Sequence, residues 1–119
     1  MAPRAWHADA IAQVAEDIRP ILEECAAAQT TITYKELGQR LSPPRFQRDP
    51  NLRSALTLIS KEADHRRQGL LTVLVVLAKT RLPSEGFFEV AACTGRNVAD
   101  HHACFERERR RVYREHASR

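Results

Sequence analysis

Ile32-Thr33-Tyr34-Lys35-Glu36-Leu37 and, further on, the apolar run Leu70-Leu71-Thr72-Val73-Leu74-Val75-Val76-Leu77 frame the stretch whose reading decides the fold. Thr33 lies three residues before Glu36, the spacing at which each side chain satisfies the other's backbone N–H, so a short helix opens there. It carries Leu37 and Leu41 inward and stops before Ser42-Pro43-Pro44, because a residue preceding proline is pushed out of helical geometry. The β-branched Thr30-Thr31-Ile32 predicts a strand stub able to pair with the later run. A second helix, from about Leu52 to Asp64, sets Leu52, Ala55, Leu56, Ile59 and Ala63 on one stripe. Arg53, Ser54, Thr57, Ser60 and Lys61 fall on or near its other face. Asp49 or Asn51 caps this helix and Gly69 is its expected stop. The run from Leu70 to Leu77 is rich in β-branched residues and short for a helix, which predicts a buried strand. Thr72, Leu74 and Val76 would then share one face, and Val73, Val75 and Leu77 the other. Lys79 to Gly86 reads as a hairpin-like wing, and Gly86 to Ala92 either as a return strand or as the start of a helix ending at Gly95, with strand for its first few residues and helix after as the favoured form. Strand stub, helix, helix, strand and turn make the order of a winged helix. The expected fold is therefore α+β: a mostly helical, winged-helix-like domain with a small β-sheet and added N- and C-terminal helices.

The added helices follow from periodicity. Ile11, Val14, Ile18, Leu22 and Cys25 recur at three- and four-residue steps, an amphipathic helix from Trp6 to about Ala28 that Pro20 is expected to kink or split. Its polar face holds Glu16, Asp17, Glu23 and Glu24, which makes it scaffold rather than a surface for a polyanion. Asn97 or Asp100 begins the last helix, with Phe105, Val112 and Tyr113 inward and Arg107, Arg109, Arg110, Arg111 and Arg114 crowding the rest.

A chain of 119 residues has room for a single domain and no second module. With 43% hydrophobic and 29% charged residues it can fill a core and keep a polar surface. Its longest apolar run falls far short of the ~20 residues needed to span a bilayer. Met1 to His7 lack a basic start followed by an apolar stretch, so no export signal is expected and the cytoplasm is the default location. Cys25, Cys93 and Cys104 are odd in number and without CxxC spacing; Cys25 and Cys93 read as small core residues.

The formal net charge of +4 is unevenly spread. Residues 1–38 carry three basic and six acidic side chains, net −3; residues 39–119 carry 16 basic and 9 acidic, net +7. That excess lies in the helix–strand block and the last helix, and suits a polyanion. A face for an acidic protein, or local ion pairing with Glu106, Glu108 and Glu115, are the other readings of the C-terminal arginines.

Thr33-Tyr34-Lys35-Glu36-Leu37-Gly38 resembles the helix start of the C-terminal domain of alkylguanine-DNA alkyltransferases and the related alkyltransferase-like proteins. Arg53-Ser54-Ala55-Leu56 resembles their recognition helix, and Leu71-Thr72-Val73-Leu74-Val75-Val76 occupies the place of their Pro-Cys-His-Arg-Val strand. The resemblance covers roughly residues 30 to 88. It implies a DNA-docking shape, with Tyr34 near a phosphate at a helix N-terminus and Arg53 near a groove. It also implies a departure in chemistry. The nucleophilic cysteine falls at Thr72 and its activating histidine at Val73, and a threonine without a base does not accept an alkyl group.

Other chemistry is absent from the pattern. His101, His102 and Cys104 cluster with Asp100, but adjacent histidines point apart on a helix and no second ligand pair stands at helical spacing, so no metal is expected. There is no phosphate-binding glycine loop and no Gly-x-Ser-x-Gly, hence no cofactor or enzyme activity is expected. The expected function is non-catalytic binding of duplex DNA. Its interface would comprise Tyr34 and Lys35, the loop residues Arg45 and Arg48, Arg53 and Lys61 on the second helix, and Lys79 and Arg81 on the wing. The alternative is a small protein-binding module such as an antitoxin, immunity protein or phage-type inhibitor. A third reading, a sensor that holds a flipped base without repairing it, requires a pocket beside Thr72.

Overall fold

The computed structural model describes residues 3–117, with side chains from Ala10 onward. Helix α1 (Pro3–Ala28) lies chiefly along helix α3 (Pro50–His65). Val14, Ala15, Ile18, Leu22, Cys25 and Ala26 of α1 are buried, and so is the whole predicted stripe of α3, Leu52, Ala55, Leu56, Ile59 and Ala63. Pro20 sits exposed inside α1 without splitting it. The halves on either side of the proline bury one continuous apolar face, which holds the helix together across the lost donor.

Strand β1 is only Ile32–Thr33, beginning two residues later than the expected stub and ending one later, and leads directly into α2 (Tyr34–Gln39). Thr33 caps α2 through the full reciprocal box: Glu36 N–H donates to Thr33 Oγ1 at 3.1 Å, and Thr33 N–H donates to the Glu36 carboxylate at 2.9 Å. Asp49 caps α3 by accepting from Asn51 N–H, with Pro50 pre-set at the first helical position.

The end of α3 departs from expectation. Arg67, not Gly69, takes the left-handed conformation (φ 60°). Gln68 N–H then donates to Ala63 and Arg67 N–H to Asp64, a Schellman ending. Gly69 is buried against Val112, Arg111 and Glu115 of the last helix, where a side chain would crowd them.

Leu70 to Leu77 does not form a strand. Leu71–Leu74 is one 3-10 turn, and only Val75–Val76 (β2) is extended. All of Leu70 to Val76 is buried, so the run has no solvent side to impose two-residue alternation, and the two predicted faces do not exist over its first half. β2 pairs with β1 in parallel, Ile32 opposite Val75 and Thr33 opposite Val76. The expected wing hairpin is also replaced. Residues 77–82 close a tight turn through Leu77 N–H to Leu82 O and Arg81 N–H to Leu77 O, and the return strand is instead helix α4 (Glu85–Cys93). Helix α5 (His101–His116), capped by Asp100, completes the chain and buries Cys104, Phe105, Glu108 and Val112.

The result is a mostly helical α+β chain with one small parallel two-stranded sheet and one contiguous core. Its radius of gyration, 13.8 Å, is that of a compact chain of this length. Among the described residues no helix is long and apolar enough to cross a membrane. Cys25 and Cys104 are buried as small core residues, whereas Cys93, expected with them, is exposed at the end of α4. Alanines surround it in sequence, but only Ala91 is on the buried side of that helix.

Candidate nucleic-acid interface

A pocket with room of about 80 Å³ opens where α2, α3, the 3-10 turn and α4 meet. Tyr34 enters because β1 delivers it, as the first residue of α2, straight against Ser84 at the head of α4. Its hydroxyl donates to Ser84 Oγ at 2.9 Å and accepts from Ser84 N–H at 3.2 Å. Deeper in, Ser60 of α3 and Thr72 of the 3-10 turn join hydroxyls at 2.5 Å, both almost fully buried. Leu56, Phe87 and Val90 supply apolar wall, Gln47 reaches in from the loop before α3, and Arg53 is the one charged residue of the lining.

Ser60 and Thr72 together own two O–H hydrogens and share one bond, so one hydrogen has no acceptor among the described residues. Ser84 Oγ accepts from Tyr34 and leaves its own hydrogen likewise unused. With Arg53 in the lining and no carboxylate, the pocket is cationic, and its hydroxyls can each donate to or accept from a guest. The hydroxyl of Thr72, at the place of the alkyltransferase-type nucleophile, bonds Ser60 alone among the described residues. Nothing there can take its proton.

Of the eight residues expected at a DNA surface, the pocket brings together Tyr34 and Arg53. Tyr34 is buried, and the helix start it belongs to already holds the Glu36 carboxylate. Two of the N-terminal donors, the N–H groups of Thr33 and Glu36, are satisfied by the capping box that this carboxylate completes. Backbone and side-chain hydrogen bonds from Thr33 hold that carboxyl below its ordinary range, so it stays charged. Arg45 is half-buried and pairs with Asp49 at 2.8 Å, which makes it a brace of the loop rather than a free contact. Lys35, Arg48, Lys61 and Lys79 are exposed and make no ion pair among the described residues. Arg81 is exposed with φ 58°, and its guanidinium donates to Thr31 Oγ1 at 3.3 Å, fastening the turn after β2 to the approach to β1.

The arginines of α5 are largely engaged locally. Arg109 pairs with Glu106 and covers the rings of Phe105 and Tyr113, Arg111 bonds Glu115 and the Arg67 carbonyl, and Arg107 reaches the Asn97 carbonyl. His101 stacks on Phe88 with ring centroids 3.8 Å apart, and Asp100 caps α5.

Sequence reasoning missed Gln47, Ser60 and Ser84 as lining residues, because each gains meaning only from an element far away in the chain. It also passed over Phe46. An aromatic flanked by Gln47 and Arg45 in a proline-rich loop belongs to no apolar period, and that was the available signal. No family model, curated protein or solved structure matches this chain.

Proposed function

We propose that the protein binds duplex DNA without catalysing a reaction. The observation that carries this reading is the carboxylate-free pocket that unites Tyr34 with the cationic Arg53, with exposed Lys35, Arg48 and Lys61 on the same pair of helices and their connecting loop. Arg53 on the first turn of α3 is the candidate for base contact; the surrounding lysines and arginines are candidates for phosphate contact, which adds affinity without sequence preference. The test is a titration with random-sequence duplex across a salt series. Binding at about 50 mM salt that weakens steeply as salt rises is the expected result. Replacing Lys79 and Arg81 together by alanine should flatten the salt slope by about two units, one per lost phosphate contact. Absence of binding at low salt would move the reading to an acidic protein partner.

The pocket beside Thr72 favours a second reading, that the protein holds an extruded base without modifying it. Its hydroxyls, which can donate or accept, and its apolar walls suit the edge and faces of a nucleobase. In either case no alkyl group moves to the protein, because Thr72 has no base beside it. An increase in intact mass after incubation with methylated duplex would overturn this.

A further inference from the structure

Phe46 is 80% exposed and is the large hydrophobic side chain that stands out in solvent among the described residues. Its position is not that of a loose loop. Arg45 N–H donates to the Gly38 carbonyl at 3.0 Å, Asp49 N–H donates to the Phe46 carbonyl at 2.9 Å, and the Arg45–Asp49 ion pair spans the same turn. Gly38 allows this seat, since a Cβ there would overlap the Arg45 carbonyl oxygen. The loop is thereby fastened to α2 at one end and capped into α3 at the other. Phe46 projects from it between the pocket-lining Gln47 and the braced Arg45, with the exposed Arg48 two residues on.

An exposed aromatic on a braced turn loses little freedom when it binds, and it offers a flat apolar face. With cationic Arg48 and Arg53 nearby, its fitting occupant is flat, apolar on its faces and attached to negative charge: a nucleobase on a phosphate backbone. A base locked in a continuous duplex stack has no free face, whereas one next to a bulge or mismatch does. We infer that Phe46 stacks on a nucleobase at a break in duplex stacking, so that the preferred partner is duplex DNA with an unpaired base. This inference rests on the DNA-binding reading and deepens it by naming the kind of DNA.

The experiment compares the intact chain and its Phe46→Ala and Phe46→Trp variants on two probes at about 50 mM salt. One probe is a fully paired duplex, the other the same duplex carrying a single bulged 2-aminopurine. The wild type should prefer the bulged probe and quench its fluorescence. Phe46→Ala should weaken bulge binding by about tenfold and abolish the quenching, while paired-duplex affinity stays within about twofold. Phe46→Trp should restore both. The ring is exposed, so thermal stability of the variants should match the wild type and separates these effects from misfolding. Equal binding of both probes by the wild type, or bulge binding unchanged in Phe46→Ala, overturns the inference and leaves DNA binding standing. Failure to bind either probe overturns both. A wild type that sediments as a dimer and becomes a monomer on Phe46→Ala also overturns it, since the ring would then be a contact between copies of this chain.

Discussion

A hydroxyl at position 72 brings one hydrogen and two lone pairs, Ser60 brings the same, and a single bond joins them inside the core. A cysteine placed at 72 would gain a weak donor beside a serine and still lack a group to draw off its proton, so position alone does not confer reactivity. The natural cysteines obey the same rule. Burial pushes the Cys25 and Cys104 thiols up, which keeps them protonated and inaccessible, while Cys93 stands in solvent. An aromatic disulfide reagent at neutral pH should therefore release one equivalent quickly from the native protein and three after denaturation. Rapid release of two or more equivalents without denaturant would contradict the burial of Cys25 and Cys104. Glu36 makes a pH prediction at this same scale. Its carboxyl is held below the ordinary range by the hydrogen bonds from Thr33, so the stability it contributes is present above that range and disappears as pH falls through the lowered value. Removing the carboxylate by Glu36→Ala should narrow the gap between variant and wild-type stability as acid is added, measured by urea midpoints from neutral pH downward.

Elements whose causes are local were the ones legible in the sequence. The box of Thr33 and Glu36, the Asp49-Pro50 cap and the stripe of α3 depend on residues within one or two turns, and each took the predicted form. The run from Leu70 and the opening residues of the segment from Gly86 differ from expectation for opposite reasons. The first has no polar residue to declare a face, so burial on all sides let it fold as a 3-10 turn before extending. The second became a helix because Ser84 is held by Tyr34, fifty positions earlier, and because Phe87 packs into the pocket between α3 and α4. The pocket was illegible for a related reason: its lining comes from four separate stretches. Helix ends supply two tests. Arg67 occupies a left-handed position that costs a side-chain-bearing residue about 1 kcal/mol, so Arg67→Gly should stabilise the protein by an amount of that order. Gly38→Ala should do the reverse, by about 1–3 kcal/mol, because its new methyl meets a backbone carbonyl that cannot step aside without moving the loop. Equal urea midpoints for Gly38→Ala and wild type would mean that the loop is not fastened there.

Across the whole molecule, the +7 excess of residues 39–119 is not one uniform surface. Arg40, Arg45, Arg96, Arg109 and Arg111 each have a carboxylate partner and act in structure, which leaves Arg48, Arg53, Lys61, Lys79 and Arg81 among the cations open to a partner. The paired set has a centre. Arg96, mostly buried in the turn between α4 and α5, bonds Asp64 near the end of α3, donates to the Gln68 carbonyl at 3.0 Å, and lies 3.4 Å from the Glu108 carboxylate. Glu108, buried on α5, in turn accepts from Leu70 N–H at 3.0 Å, just before the 3-10 turn that carries Thr72. One arginine and one glutamate thus tie α3, the α4–α5 turn, α5 and the approach to β2, beside the bonds of Arg111 to the Arg67 carbonyl and of Gly69 N–H to Glu115. Removing the carboxylate strands a buried N–H and deprives a mostly buried cation of one of its two acidic partners. Glu108→Leu should therefore cost about 3 kcal/mol, whereas Glu108→Gln, which still accepts from Leu70, should cost roughly 1. Because both residues serve one joint, Arg96→Met combined with Glu108→Leu should destabilise by clearly less than the sum of the single changes. Urea denaturation of the four proteins measures this. Strict additivity would mean that Arg96 and Glu108 stabilise separate parts of the chain, and that the core is held without a polar hub.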